Sequence, residues 1–385
     1  MKVATTTLAF CVAALLALGL VMLYSASMVM IDKKTHAEVG AHMLQMQVLW
    51  CTVGLAACGV LALLDYQWLK KAAWPLFIGT LLVAALVFVP HIGMKLNGAR
   101  RWIHFPGVGS FQPSEIVKIG LIIALAWYVD FSQRKMNTFK RGILVPGLIV
   151  GAALGAIFIE PDRGTTILLA GVSGVMLYIA GARWPHLILV VLLGVGLLAL
   201  SLRHDSMRNG RIQAWLHPEA HANGIARQAT QAKIAIGSGG PFGQGLGDGV
   251  QKRGFVSEIQ SDFIFANIGE ELGLVATAPV VLAFLLIGVC GIYIALHARD
   301  QFGAQLALGI TSLICFQAII NIAVVTDLMP NKGLALPFIS SGGSSLLAML
   351  IGVGILLSVA RQALPGKISE TVLAEDDNPF AKKGK

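Results

Sequence analysis

The feature that most constrains this chain is the length of its charge-free runs. Nine segments, 3–31, 39–64, 72–94, 142–159, 164–182, 184–202, 272–298, 301–326 and 333–360, contain no Asp, Glu, Lys or Arg. A helix needs about 20 apolar residues to cross a hydrocarbon core about 30 Å thick, and these runs reach or approach that length. A tenth apolar run, 113–131, carries Glu115 and Lys118 near its start. Lipid offers the backbone no hydrogen-bond partner, so the spanning segments must be helices; the alternating pattern of a barrel strand is absent. The expected fold is an all-α polytopic membrane protein of about ten transmembrane helices. One membrane domain covers 1–362, with a large extracytoplasmic loop, 203–262, between helices 7 and 8. A polar tail over 363–385 is expected to be disordered and cytoplasmic.

The first apolar run is longer than a signal-peptide core and lacks a clear cleavage signature, so it reads as the first span. All five cysteines, Cys11, Cys51, Cys58, Cys290 and Cys315, fall within spans, where a thiol behaves as a small hydrophobe, and no disulfide is expected. Ten spans place both termini on one side. With that side cytoplasmic, its segments hold 14 Lys and Arg against seven in the short outer segments, which fits the positive-inside rule. The basic residues left outside ask for an anionic partner at the outer surface.

Within the large loop, GSGGPFGQGLGDG at 237–249 matches neither the Walker spacing nor G-x-G-x-x-G, and reads as a re-entrant or surface loop. His217 and His221 have a metal-ligand spacing, but Pro218 lies between them and no H-E-x-x-H order is present.

A charge inside a span costs several kcal/mol unless it is paired or near the interface, so the ionisable residues there are functional candidates. Glu115, in QPSEIVKI at 112–119, can meet the free N–H groups of a helix start; Lys118, three residues on, can pair with it or face a catalytic carboxylate. Glu160, in EPDRGT at 160–165, reads as a helix cap or a substrate contact. Arg100 and Arg101, in NGARRWI at 97–103, can anchor to headgroups or cradle a lipid-borne phosphate. Asp262 stands just before an apolar helix carrying Asn267, Glu270 and Glu271, and reads as an N-cap or as one wall of a polar cavity shared with Glu270.

These motifs, with AIGSGGPFGQGLGDGVQKRGF at 235–255, SDFIFANIGEELG at 261–273 and NKGLALPFISSGGSS at 331–345, resemble in order and over most of the chain the SEDS family of shape, elongation, division and sporulation proteins. The variants GVQK, FANIGEELG and NKG are more similar to its division members than to its elongation members. The resemblance implies a ten-helix glycosyltransferase that polymerises lipid II at the division septum. It carries the family's essential aspartate onto Asp262 and implies substrate contacts at Lys332, Ser340 and Ser344. It also implies a class B penicillin-binding protein transpeptidase and other divisome membrane proteins as partners; nothing points to nucleic acid. Departures from the family pattern fall at Ser257, Gln260, Ser261, Arg163, Asp327, Asn331, Ala335 and Ser341. Arg163 adds a cation and Ser341 removes an aromatic ring near the expected site.

A glycosyl donor used outside the cell must bring its own leaving group, and a glycan linked to undecaprenyl pyrophosphate does so. That anion leaves without an acid to protonate it, so one base plus cations suffices. Asp262 would take the acceptor hydroxyl's proton, Lys118 would hold Asp262 ionised, and Arg100, Arg101 and Lys332 would neutralise the pyrophosphate. Glu115 and Glu160 would line the substrate site. A divalent cation at Asp262, Mg²⁺ or Mn²⁺, is an alternative role for that residue, and no organic cofactor is expected. Two other classes remain open: a lipid II flippase and a non-catalytic divisome scaffold.

Overall fold

The structure, a computed structural model, describes residues 1–27, 39–90, 92–96, 99–105, 109–203, 206–217, 227–252 and 259–363. In chain order its elements are α1 (Lys2–Ser27), α2 (Val39–Leu63), α3 (Gln67–Lys71), α4 (Ala73–Ala85), β1 (Gly93–Leu96), β2 (Ala99–Phe105), β3 (Gly109–Phe111), α5 (Ser114–Ser132), α6 (Val145–Ile159) and α7 (Arg163–Ile179). Then follow α8 (Trp184–Arg203), α9 (Ser206–Leu216), α10 (Arg227–Gly239), α11 (Ile264–Leu272), α12 (Leu274–Leu296), α13 (Gln301–Val325) and α14 (Gly343–Arg361).

Each expected span coincides with a helix. Six described helices are long and apolar enough to cross a bilayer by length and composition, and Ala73–Phe88, Arg163–Ile179 and Trp184–Gly196 are shorter apolar helices. The remaining span, α5, holds Glu115 and Lys118 buried inside the bundle, while Asp130 near its other end pairs with Lys70. The chain is a polytopic membrane protein.

Helix α13 is the hub, packing on α5, α7, α12 and α14, while α2 lies along α14 and α1 along α12. Small residues permit these approaches. A β-carbon on Gly354 of α14 would stand 2.6 Å from the carbonyl oxygen of Cys58 on α2, a contact only glycine allows there. At one end of the bundle Asp300 caps α13 by accepting from Gly303 N (2.9 Å), and it also accepts from the Tyr66 hydroxyl (2.8 Å), tying the α2–α3 turn to the hub.

Three boundaries differ from the sequence expectation. The span expected over 72–94 ends in a 3₁₀ turn, Leu86–Phe88, after which β1, β2 and β3 form an antiparallel sheet in the order β1-β2-β3. A small antiparallel sheet thus accompanies the helical bundle between α4 and α5. The hairpin signal was present, since Asn97-Gly98 separates β1 from β2 and that dipeptide favours tight two-residue connections. The span expected over 272–298 begins as helix only at Leu274, because Gly273 (φ +69°) separates it from the short α11. The span expected over 333–360 starts as helix only at Gly343, and residues 333–342 are irregular. Leu334, Leu336, Phe338, Ile339 and Ser340 are buried there, so that segment is covered by protein, the condition under which irregular backbone is tolerated at membrane depth.

Candidate functional site

Asp262 lies in a turn two residues before α11, and the residue at the cap position is Phe263, with no side-chain cap bond. The N-cap reading of Asp262 is thereby set aside. Its carboxylate is half-buried and packs on the backbone of Gly333: a β-carbon at Gly333 would stand 2.6 Å from Asp262 Oδ2. Gly333 is exposed, so this contact is at the mouth of the bundle. Lys332, beside it, is half-buried, and burial lowers its ammonium pKa from the ordinary lysine value.

The two segments are joined through α13. Asn321 Nδ2 donates to the carbonyl oxygen of Asp262 (2.9 Å) and to that of Leu334 (2.6 Å). One turn earlier, Gln317 Nε2 donates to Ala335 O (2.9 Å), while Gln317 Oε1 accepts from Lys118 Nζ (2.9 Å). Lys118, fully buried, also pairs with Glu115 (2.8 Å). Lys118 and Glu115 are thus a buried ion pair on α5; Gln317 links Lys118 to the backbone at Ala335, and Asn321 ties the neighbouring Leu334 carbonyl to that of Asp262. A pair of amides four residues apart on one face of an otherwise charge-free span was the sequence signal for Gln317 and Asn321, which the sequence reading missed.

The serine–glycine run clamps the same turn from the other side. Ser340 Oγ donates to Ser261 O and accepts from Leu336 N (2.8 Å), and Ser341 N donates to Gln260 O (2.9 Å). Gln47 of α2 brackets the run, donating to Ser340 O and accepting from Gly342 N, each at 3.3 Å. Ser344 is buried in the first turn of α14. Two family departures, Gln260 and Ser341, therefore meet each other. Two more meet α10: Asp327 pairs with Lys233 (2.7 Å) and Asn331 donates to the Gln228 side chain (3.0 Å).

A second cluster surrounds the α6–α7 turn. Arg101 donates to the carbonyl oxygens of Glu160 (2.8 Å) and Pro161. The cap of α7 is Asp162, which accepts from Thr165 N (3.1 Å) and Thr165 Oγ1 (2.9 Å) and from Gln112 Nε2 (3.2 Å). Glu160, read from sequence as a cap, instead closes α6, with its carboxyl fully buried and neither oxygen hydrogen-bonded. Burial and the nearby Asp162 push its pKa up to about 8, against a lowering by Arg101. The departure Arg163 lays its guanidinium over the Phe158 ring, 3.0 Å from the centroid. Gly164 joins this cluster to the first, since a β-carbon there would meet Leu334 Cγ at 3.2 Å.

Some expected neighbours are apart. Arg100 and Arg101 are adjacent on β2, where the pairing with β1 is irregular and leaves Arg101 as the extra residue; Arg101 is committed to the α6–α7 turn and Arg100 is exposed. Glu270 and Glu271 face the glycine-rich loop instead of sharing a cavity with Asp262. Glu270 accepts from Val250 N (2.8 Å) and Gln251 N (3.1 Å), while Glu271 accepts from Gly247 N (3.0 Å), Ser25 Oγ (2.6 Å) and Lys252 Nζ (2.7 Å). Glycines are needed because the loop lies directly on α11: a β-carbon on Gly239 or Gly243 would collide with the carbonyl oxygens of Gly269 or Glu271.

Among the described residues no group of three His, Cys, Asp or Glu side chains gathers to hold a metal. His221, half of the histidine pair, lies outside the described residues.

The comparisons with known proteins agree with this architecture. The family model FTSW_RODA_SPOVE, described as cell cycle protein, matches residues 6–364. A probable peptidoglycan glycosyltransferase FtsW of Trichlorobacter lovleyi is 42% identical over 354 residues, covering 91% of each chain. The stage V sporulation protein E of Bacillus subtilis is 40% identical over 351 residues, 90% of this chain and 94% of that one. Among solved structures, a chain from work on "Structural coordination of polymerization and crosslinking by a peptidoglycan synthase complex" superposes with a TM-score of 0.76 at 28% identity, covering 92% of this chain and 96% of that chain. The rod shape determining protein RodA of Thermus thermophilus gives 0.67 at 29% identity, with 92% and 96% covered. With its motifs, its helices and nearly its whole length accounted for, this chain belongs to the FtsW, RodA and SpoVE family of cell cycle proteins.

Proposed function

We propose that this protein is a peptidoglycan glycosyltransferase that polymerises lipid II during cell division. Asp262 carries the reading: it is a half-buried carboxylate at the open end of a membrane bundle, packed on Gly333, whose chain neighbour Lys332 has a lowered pKa. A lipid-linked substrate reaches such a site from the bilayer, and its pyrophosphate supplies the leaving group. Asp262 accepts the proton of the attacking sugar hydroxyl, a role worth typically about 10²–10⁴ in rate. Lys332 offers charge to the pyrophosphate, and the Lys118–Glu115 pair positions the aspartate's turn through Gln317 and the 334–335 backbone that Asn321 ties to it. A Mg²⁺ or Mn²⁺ ion at Asp262 would take its other ligands from pyrophosphate and water, as such ions commonly do.

In this reading both termini are cytoplasmic, the Asp262 end faces outward, and the protein works at the septum. It works beside a class B penicillin-binding protein and other divisome membrane proteins. Support for the partner is the similarity to a chain from a peptidoglycan synthase complex.

The test is a gel assay of lipid II polymerisation by purified protein, with and without a class B partner and with and without divalent cation, comparing the native chain with Asp262→Ala. Glycan made by the native protein and lost in the variant is expected. Equal polymer from both would overturn the assignment of Asp262. Transport of labelled lipid II in vesicles without polymer would point to a flippase, and normal division with Asp262→Ala in cells to a scaffold.

A further inference from the structure

Phe242 stands on the glycine-rich loop with 82% of its surface exposed, more than any other large apolar side chain described. Leu246, four residues on, is 55% exposed. The loop cannot fold these side chains inward, because its backbone is fixed at several points. Gln244 N and Gly245 N donate to the carbonyl oxygens of Glu270 and Glu271 (2.9 and 3.0 Å), and Gly247, Val250 and Gln251 donate to the carboxylates of the same two residues.

The loop is also joined to the start of a spanning helix. Leu274 N donates to Gly240 O (3.0 Å) and Val275 N to Pro241 O (3.1 Å), which sets Phe242 just beyond the first turn of α12. Leu274 and Val275 are 63% and 61% exposed, and they head an apolar stripe that runs down α12 through Leu282, Leu285 and Val289. Such a stripe on a spanning helix faces lipid. With 23 residues, α12 is about 34 Å long, against a hydrocarbon core of about 30 Å, so its first turn reaches the boundary of the acyl region. Phe242 follows directly on Pro241, whose carbonyl is bonded at the head of this stripe. Charge does not oppose this: between Lys233 and Lys252 the only charged residue is Asp248, and Lys252 is buried against Glu271.

We propose that the tip of the glycine-rich loop, through Phe242 and Leu246, inserts into the headgroup region of the leaflet on the Asp262 side and acts as an interfacial anchor. The partner is the lipid surface itself. An aromatic side chain next to the end of a spanning helix suits that boundary, where apolar side chains gain burial without entering the acyl core. The inference rests on the membrane fold and the loop's attachments, and holds whichever reaction Asp262 performs. Because α11 is stapled to this loop, the anchor also sets the height of the Asp262 turn relative to the lipid headgroups.

The experiment is a depth measurement by electron paramagnetic resonance on the full chain in nanodiscs of phosphatidylethanolamine and phosphatidylglycerol. Nitroxide labels are placed at Phe242→Cys, at Leu246→Cys, at Asp248→Cys as the loop reference and at Leu282→Cys as the lipid reference. The native chain, labelled in parallel, corrects for its own thiols. At 242 and 246, accessibility to oxygen is expected to exceed that to a water-soluble nickel chelate, with depths between those of 248 and 282. Adding Phe242→Asp should return the label at 246 to chelate accessibility. Chelate-dominated accessibility at 242 equal to that at 248 would show the tip in water and overturn the proposal. Low accessibility to both reagents would show it covered by protein and overturn it equally.

Discussion

Oδ2 of Asp262 lies 2.6 Å from the point where a β-carbon on Gly333 would stand. The aspartate and the NKG turn, 71 positions apart in sequence, are therefore a single contact surface, and the only residue that fits at 333 without moving the carboxylate is glycine. Gly333→Ala should lower lipid II polymerisation by about 100-fold, the scale of a misplaced catalytic group, with the melting temperature nearly unchanged because Gly333 is exposed. Gel quantification of glycan beside thermal unfolding in detergent makes the comparison. Native-level polymerisation by the alanine variant would remove this contact from the mechanism.

Asn321 holds the two walls of that surface with one amide nitrogen, bonding Asp262 O and Leu334 O. Asn321→Leu keeps the volume and strands two carbonyls, at about 1–3 kcal/mol for each buried acceptor left without a donor. Both stability and polymerisation are expected to fall. A leucine variant as stable as the native chain would mean water replaces the amide.

The buried Lys252–Glu271 pair ties the glycine-rich loop to α1 through Ser25. Lys252→Met leaves a buried carboxylate without its cation and should destabilise by about 3–5 kcal/mol. The double variant Lys252→Met, Glu271→Met removes both charges and should recover part of that loss. Recovery stays incomplete, because Gly247 N and Ser25 also lose their acceptor. A double variant that loses the sum of the two single losses would refute the account. Unfolding midpoints of the three variants decide it.

Glu160 gives a pH dependence. Its carboxyl titrates at about 8 in the folded protein, against an ordinary value of 4.5. Between these values the folded chain keeps a proton that the unfolded chain has released. Stability therefore rises as pH falls through this window and drops as pH rises, by up to about 1.4 kcal/mol per pH unit. Glu160→Gln, uncharged throughout, should flatten the melting temperature across the window. An unchanged pH slope in the glutamine variant would assign it to another group.

Much of this was legible in the sequence. The runs that gave the ten spans coincide with helices, and the motifs that carried the family resemblance fall at the Asp262 turn, at the α6–α7 turn and on the loop against α11. The missed elements each have a local reason. The sheet follows Asn97-Gly98, a hairpin signal inside a stretch read only for its arginines. The irregular segment 333–342 is charge-free and reads as helix, yet its backbone is taken up by Gln47, Gln317, Asn321 and Ser340, none of which a hydropathy window registers.

By itself the sequence determined that this chain crosses a membrane, where it crosses and which few ionisable residues need a reason to be there. Those facts follow from local costs: an unsatisfied peptide group or a lone charge in hydrocarbon is expensive whatever surrounds it. Only the tertiary structure decided how the acids divide their work. Asp262 is not a cap, Asp162 is, Glu115 pairs with Lys118, and Glu270 and Glu271 hold a loop. A carboxylate's role depends on which donors reach it, and here they come from far away: Ser25, the partner of Glu271, is 246 positions distant. Spacing along the chain fixes no such pairing until the helices have packed.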